Sequence, residues 1–407
     1  MRRDPGLLRN TPGEQPLWKV AGLCLVCAVG VPRGVTAQEP SAPQGVPPAQ
    51  LQTAIDNLGD LDYETRAGAS RTVRRAPGAQ AVPALLGAVA GHTDGYVRYR
   101  ALVLLTGFND PRTTDAMRES LASPNDRLRT VAYSYFEHNP DSTVTAGLLT
   151  ALDRELAEFV RPALIRALAA HGDDHARQAL VREAGRGEDF FRSVVIEALG
   201  DYRAAYAFEA VTAIAALDGP LQDDAALALG KIGDKRALGT LADLQRSAPR
   251  ARQPTIAAAI CLLGVNCESH ERYMVEALKF ADMNSDFQDL LRGAAGGLGA
   301  LGVAGRTTAV EALFDIGIPA RDPTRAPVAL ALAAVALRNT SLMCSALLET
   351  RQARAEAIAL LSEGFDMLEE DLLKERFFAF ARRTYWESPA ESPTRDLMQM
   401  LISQLDF

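Results

Sequence analysis

Three histidines and one aspartate in this sequence have the residue types and spacing of a small transition-metal site. His138 and His171 lie 33 residues apart, each just before a turn, and His175 follows His171 by four residues. Their imidazoles, together with the carboxylate of Asp174, could hold a metal ion. A histidine at a helix C-terminus also interacts favourably with the helix dipole and then needs no metal. We therefore predict no metal and no cofactor, and keep these four residues as the candidates for a metal site.

No Ser/His/Asp, Cys/His or paired-carboxylate constellation can be assembled from the remaining residues. Gly297, Gly299 and Gly302 do fit the G-x-G-x-x-G pattern. That pattern binds pyrophosphate only where it joins a strand to a helix, and residues 287–295 before it have a helical pattern. We expect these glycines to let two helices pack closely. The sequence predicts a protein that is not an enzyme. The alternative is a metal-dependent or lyase-type enzyme that uses His138, His171 and His175, which we call the histidine edge.

Three cysteines follow residue 37. Cys261 and Cys267 lie six residues apart on either side of a predicted turn. They could form a disulfide in an oxidising compartment if the turn folds back, since an intact helix would hold them too far apart. The sequence leaves this bond open. Cys344 is expected to be buried as a small hydrophobic residue.

Aromatic and arginine residues offer a site for binding rather than for chemistry. Of the 25 aromatic residues, 12 fall within residues 96–208. Tyrosine and arginine are enriched at the hot spots of protein interfaces. The predicted binding residues for a protein or peptide partner are Tyr96, Tyr99, Tyr133, Phe136, Arg98 and Arg129. For the arginines the alternative is structural, because each could pair with an acidic residue of its own or an adjacent repeat.

These arginines belong to a sequence repeat. An apolar residue, or once a threonine, precedes each of Arg66, Arg98, Arg129, Arg161 and Arg192, at spacings of 31 or 32 residues. Apolar residues at three- and four-residue spacing, with short Gly/Asn/Asp turns between them, predict a helix-turn-helix unit. Such a unit cannot bury both of its apolar faces alone, so it must stack on its neighbours. After residue 205 the sequence repeat becomes less regular. The predicted arginine position is then occupied by Asp223, and in the next repeat by Thr255 or Ile256.

Segments Gly78–Val89 and Ala226–Leu241 (ALALGKIGDKRALGTL) resemble HEAT-like repeats of the short bacterial, phycobilin-lyase-like type. The resemblance concerns a fold rather than an activity. It implies an all-α, right-handed α-solenoid (an armadillo-like superhelix) of about nine helix-turn-helix repeats. It also implies first helices on the convex side and second helices lining a concave groove, where the partner would bind. Deoxyhypusine hydroxylase, a HEAT-like enzyme, requires repeated His-Glu pairs, and this chain has only His270-Glu271.

The chain divides into four predicted segments. Residues 1–37 read as a secretory signal with a basic start, the apolar segment Val20–Val31 and cleavage after Ala37. Residues 38–50 are Pro-rich and predict a disordered tether. Residues 51–340 form the repeat solenoid, and residues 341–407 are capping helices. Within this last segment we predict helices over 342–361 and 365–382, and a final helix from Thr394.

The signal and the charge limit where the protein works and what it binds. A secretory signal predicts a secreted protein, in the bacterial periplasm. Its 12-residue apolar segment is too short to span a bilayer as a helix, which needs about 20 residues, so we expect no integral membrane protein. The net charge of −8 argues against nucleic acid as a partner, because such affinity comes from neutralising phosphates. We therefore predict a scaffold for protein–protein interaction and make no prediction of oligomeric state.

Overall fold

A computed structural model describes residues 45–284 and 286–407, and throughout them the regular structure is helical, with no strand. In chain order the helices are α1 (Pro48–Asp56), α2 (Tyr63–Arg75), α3 (Gly78–Gly91), α4 (Gly95–Leu105), α5 (Arg112–Ser120), α6 (Asp126–His138), α7 (Thr145–Leu152), α8 (Arg161–His171), α9 (Asp174–Ala184), α10 (Asp189–Asp201), α11 (Phe208–Ala215), α12 (Gln222–Ile232), α13 (Leu238–Ser247), α14 (Gln253–Leu262), α15 (Cys267–Asp282), α16 (Gln288–Val303), α17 (Thr307–Gly317), α18 (Arg325–Arg338), α19 (Thr340–Glu349), α20 (Arg354–Met367), α21 (Asp371–Glu387) and α22 (Pro393–Gln404). The predicted signal, and residues 38–44 of the predicted tether, lie outside the described residues. Helix α1 begins inside that tether, because a proline is well tolerated in the first turn of a helix.

From α2 to α19 the described helices form nine consecutive antiparallel pairs, from α2/α3 to α18/α19. The first helix of each pair packs along the first helices of the neighbouring pairs, whereas most second helices pack mainly on the first helix of the following pair, as α3 does on α4 and α11 on α12. Each pair thus buries its apolar faces on the next pair, as expected for stacked repeats. The prediction of an all-α solenoid of about nine helix pairs is confirmed.

The first helices lie on the inner side of the curve, because small residues let them approach closely. A Cβ added to Gly230 of α12 would lie 2.5 Å from the Cα of Ala259 in α14. The second helices stand further apart, so the array curves around the first helices. The arrangement implied by the resemblance, with second helices lining the concave side, is therefore wrong for this chain.

Side chains at the repeated arginine position join each pair to the one before it. The Nε of Arg98 donates to the carbonyl oxygen of Val89 at 2.8 Å, near the end of α3. The Nε of Arg192 donates in the same way to the carbonyl of Ala184 at 3.1 Å, at the end of α9. Carbonyls at a helix C-terminus have no partner inside their own helix, and these guanidinium groups supply one.

The repeat continues beyond residue 205 with glutamine in place of arginine. Nε2 of Gln222 donates to the carbonyl of Ala215 at 3.2 Å, and Nε2 of Gln253 donates to that of Gln245 at 2.9 Å. An amide group can supply the same hydrogen bonds as a guanidinium, so the repeat loses its charge but keeps its geometry. The equivalences predicted for Asp223, and for Thr255 or Ile256, are wrong by one to three positions.

Aspartate and asparagine side chains cap several of these helices. Asp94 accepts a hydrogen bond from the N–H of Tyr96 at 2.7 Å and caps α4, and Asp173 caps α9 through the N–H of Ala176 at 2.8 Å. For α6 the cap is Asn125 rather than Asp126. Such side chains satisfy N–H groups that a helix leaves free at its first turn.

The C-terminal helices have different boundaries from those predicted. The helix predicted over 342–361 is divided between α19 and α20, because Arg354 donates to the carbonyls of Leu347 and Leu348 and marks another junction between helices. The helix predicted over 365–382 is observed as α21, shifted towards the C-terminus. Helix α22 packs on α19, α20 and α21 and covers this end of the array.

Cys261 and Cys267 form a disulfide across the turn between α14 and α15, with their Cα atoms 4.2 Å apart. Gly264 (φ +78°) and Asn266 (φ +45°) adopt left-handed backbone conformations that fold this turn back on itself. Cys344 is a free, buried thiol, and burial raises its pKa to about 12. Over the described ranges, no helix has both the length and the apolar character needed to cross a membrane.

Candidate functional site

Two of the predicted binding residues belong to the core. Tyr133 and Phe136 on α6 are 1% and 0% exposed. They lie three residues apart, and so on the face of α6 that packs against the neighbouring first helices. The prediction that they bind a partner is wrong, because in a close-packed array this face of the helix is covered.

The two predicted binding arginines are already engaged within the chain. Arg98 is bonded to the end of α3 as described. The guanidinium of Arg129 pairs with Glu155 at 2.8 Å and with Asp126 at 2.6 Å. The structural alternative for these arginines is therefore correct, and their assignment to a binding surface is wrong. Glu155 is itself buried, which explains why its charge needs this partner.

Tyr96 and Tyr99 on α4 face another helix of the same chain. The hydroxyl of Tyr99 donates a hydrogen bond to Asp371, the first residue of α21. Burial and the neighbouring Asp371 raise the pKa of this hydroxyl. Tyr96 packs on Tyr99 with ring centroids 5.6 Å apart, and Arg127 lies over both rings at 5.5 Å. These tyrosines are half-buried, and Tyr99 holds α21 in place.

Helix α21 occupies the inner side of the array. Its Glu375 forms an ion pair at 2.7 Å with Arg74 of α2. Asp371 pairs with Arg100 of α4 at 3.0 Å, and α21 also packs against α6 and α18. It therefore links the early pairs of the array to the last one. This helix of the chain itself occupies the part of the inner groove beside α2, α4, α6 and α18. That a partner binds in the groove stays a prediction.

Polar contacts between distant first helices complete the closure of the inner side. Asp201, at the end of α10, is bonded to Lys231 at 2.6 Å and to Arg338 at the end of α18. Despite desolvation, which opposes it, these two cations hold the pKa of Asp201 below its usual value. The hydroxyl of Tyr202 donates to Glu137 at 2.9 Å, and Glu137 also pairs with Arg166 at 3.2 Å.

A cavity of about 630 Å³ remains between α21 and the C-terminal ends of the first helices. Its volume is in the usual range for small-molecule sites, about 300 to 1,000 Å³. Polar lining residues come from the ends of α6, α10 and α18, from residues 106–113, and from Arg376 and Arg383 of α21, whereas the apolar ones come mainly from α21. The sequence did not indicate this cavity, because none of its polar residues forms a local motif with the others.

The three histidines predicted as candidate metal ligands lie in three separate environments. His138 lines the cavity. Nδ1 of His171 donates to the carbonyl of Ala167 at 2.7 Å, and its Nε2 accepts from the N–H of Asp141 at 3.1 Å. His175 is exposed on the outer helix α9, and Asp174 pairs with Arg177 at 3.2 Å. Within the described residues, no three His, Cys, Asp or Glu side chains converge as metal ligands.

The glycines of the G-x-G-x-x-G pattern all lie inside α16. A Cβ on Gly299 would lie 3.1 Å from that of Ala331 in α18, and one on Gly302 would lie 2.7 Å from the side chain of Val335. Close helix packing, as predicted, explains these glycines.

Exposed apolar side chains are concentrated at one edge of the array. In the described chain, eight of the twelve large exposed ones lie in, or within two residues of, the loops that lead into a first helix: Leu61, Tyr63, Leu156, Phe159, Phe190, Leu217, Met283 and Phe287. We call this the loop edge. Leu156, Phe159 and Phe190 are 85%, 57% and 57% exposed. The first two lie in the loop before α8, and Phe190 is the second residue of the neighbouring helix α10. They are not among the predicted binding residues, although Phe159 and Phe190 belong to the aromatic cluster of residues 96–208 and each stands two residues before a repeated arginine.

Comparisons with known proteins agree with the repeat architecture. Residues 51–136 match the model of HEAT repeats. No curated protein matches the chain in sequence.

Solved structures of low similarity include two enzymes and one importin. The complex of CpcE and CpcF of phycocyanin lyase from Nostoc sp. PCC7120 is 20% identical with a TM-score of 0.35, and the match covers 54% of this chain and 88% of that one. Human deoxyhypusine hydroxylase is 18% identical with a TM-score of 0.28, over 54% of this chain and 86% of that one. Importin beta is 15% identical with a TM-score of 0.36, and the match covers 86% of this chain and 49% of that one. Such values are too low to carry any inference about activity. The match to HEAT repeats covers residues 51–136, and the stacked helix pairs from α2 to α19 make the described chain an all-α solenoid.

Proposed function

We propose that this protein is a secreted, non-enzymatic scaffold that binds a protein partner through the loop edge before α8 and α10. The observation that carries the proposal is the exposure of Leu156, Phe159 and Phe190 at adjacent loops. Large apolar side chains that stay in contact with water on neighbouring elements are typical of interaction surfaces. The partner expected there is a protein segment with apolar side chains.

The surroundings of these residues support the same interface. Arg161 lies 4.7 Å from the centroid of the Phe191 ring. A small cleft of about 360 Å³ opens beside them, lined by Phe191, Arg186 and Glu188 among others. Protein interfaces usually combine large aromatic or aliphatic side chains with a surrounding rim of charged residues. Because α21 lies on the inner side, we place the partner at the loop edge.

Secretion is part of this proposal and is supported by the cysteines. The disulfide between Cys261 and Cys267 is a bond that persists in oxidising compartments and is rare in the cytosol. N-terminal sequencing of protein recovered from the periplasm should begin at Gln38. Recovery of the full-length chain from the cytosol alone would contradict this part of the proposal.

The interface is tested by crosslinking in the source cell envelope, followed by mass spectrometry. A triple variant, Leu156→Ser with Phe159→Ser and Phe190→Ser, should lose the partner that the natural protein captures. The matched control is Leu330→Ser with Met367→Ser and Trp386→Ser, because these residues are also exposed but lie away from the loop edge. Equal capture of the same partners by both variants would refute the loop edge as the interface.

No second function is proposed. The enzyme alternative relied on His138, His171 and His175 acting together, and their separate surroundings give it no support.

A further inference from the structure

The cavity between α21 and the ends of the first helices has uncompensated positive charge on one wall. Arg376 and Arg383 both line it, and they lie seven residues apart on α21, which places them on one face of the helix. Within the described residues neither guanidinium has a hydrogen bond or a salt bridge, although the charge of Glu137 acts on Arg376 from a longer distance. Both are accessible to solvent, so the cavity is open on this side.

The carboxylates of the cavity do not neutralise this wall, because they are already engaged elsewhere. Glu137 is bonded to Arg166 and Tyr202. Asp201 is bonded to Lys231 and Arg338. Asp110, the third carboxylate of the lining, is bonded to Arg112. Each of the three therefore has its own cation, and the guanidinium groups of α21 remain as surplus positive charge. Guanidinium groups that face a cavity and have no carboxylate partner in the protein are suited to bind the carboxylate of a ligand.

His138 supplies an unpartnered polar atom at the same place. Its Nε2 is buried and has no hydrogen-bond partner in the described chain. Burial, and then the nearby Arg376, Arg166 and Arg338, lower the pKa of this imidazole to about 3, so it is neutral at physiological pH. A buried polar atom without a partner is costly, and a bound ligand could satisfy it.

The remaining lining limits the kind of anion. Leu372, Phe377 and Phe380 of α21, with Leu337 of α18, provide an apolar wall. The lining also includes the C-terminal ends of α6, α10 and α18, where the helix dipoles are negative. A doubly charged phosphate would be repelled by these ends and by Glu137 and Asp201 more strongly than a singly charged carboxylate.

From this arrangement we propose that the cavity binds a small organic monocarboxylate, with its carboxylate at Arg376 and Arg383, one oxygen of that carboxylate bonded to Nε2 of His138, and its apolar body against Leu337 and Phe380. This site is separate from the loop edge, and it does not depend on the protein-binding function.

Calorimetric titration with acetate, butyrate and phenylacetate tests the proposal. Phenylacetate should bind most tightly, because it alone fills both the charged and the apolar parts of the cavity. The uncharged 2-phenylethanol and the doubly charged phenylphosphate should each bind at least tenfold more weakly than phenylacetate. Absence of binding by all three carboxylates at millimolar concentration, or equal binding of 2-phenylethanol, would overturn the proposal.

Variants locate the binding. Arg376→Gln with Arg383→Gln should weaken phenylacetate binding at least tenfold, and circular dichroism should confirm that the variant folds. The control, Arg246→Gln with Arg292→Gln, removes the same charge from exposed arginines outside the cavity and should leave binding unchanged. The NMR signal of the His138 ring should shift on binding to the natural protein. Binding that weakens equally in both variants, or that leaves the His138 signal unmoved, would contradict the assigned site.

Discussion

A buried ion pair between Arg74 of α2 and Glu375 of α21 helps to hold α21 on the inner side of the array. The side chains of Arg74 and Glu375 are 8% and 3% exposed, and Nε and Nη2 of the arginine donate to Glu375 at 2.9 and 2.7 Å. Replacing Glu375 by alanine leaves the guanidinium buried without its partner, a change that costs about 3–5 kcal/mol in other proteins. We expect Glu375→Ala to lower the free energy of opening α21 by about 3 kcal/mol.

Hydrogen exchange of the α21 amides, followed by mass spectrometry, measures this opening directly. A loss of about 3 kcal/mol corresponds to exchange that is more than 100-fold faster. Amides of the inner helices in the middle of the array, such as α12, should keep their protection, because each repeat contacts mainly its neighbours.

Two further variants separate the ion pair from general effects of mutation. Asp243→Ala breaks an exposed pair with Arg246 and should change stability by less than about 0.5 kcal/mol. The double variant Arg74→Met with Glu375→Leu removes both charges, and it should recover most of the protection lost by Glu375→Ala. If exchange of α21 in Glu375→Ala stays within about threefold of the natural protein, the ion pair does not hold the helix and the reasoning fails.

Three other predictions concern packing, pH and thiols. Gly230→Ala should destabilise the array in urea denaturation because its Cβ would meet the backbone of α14, whereas Gly87→Ala, with open space around it, should stabilise by about 0.5–1 kcal/mol. The pKa of His138 is about 3 in the folded chain and 6.5 in the unfolded reference. As the pH falls from 6.5 towards 3, only the unfolded chain therefore gains this proton, and the free energy of unfolding decreases over that window. His138→Gln should reduce the dependence of the unfolding free energy on pH by up to about 1.4 kcal/mol per pH unit. Peptide mapping without reductant should recover Cys261 linked to Cys267. Cys344 should not react with a maleimide at neutral pH until the chain unfolds, because its thiol is buried and has a raised pKa.

The sequence by itself determined the helix pairs and their stacking. Arginines at near-constant spacing, turn aspartates and apolar residues at helical spacing act within one repeat or between adjacent ones, so the pattern is local and can be read along the chain. The bond from Arg98 to the end of α3 and the cap of α4 by Asp94 are contacts of this local kind. For the same reason the pattern placed Tyr133 and Phe136 in the right repeat but could not say which face of α6 would be covered.

Only the tertiary structure decided which row of helices lies inside and what fills the inner side. Curvature follows from many small differences in helix separation, such as the close approach at Gly230, and no single repeat shows it. Arg74 and Glu375 meet although 301 residues separate them, and neither has a sequence neighbour that signals the other. The same holds for the cavity, since His138, Arg338 and Arg376 come together only when α21 folds back across the array.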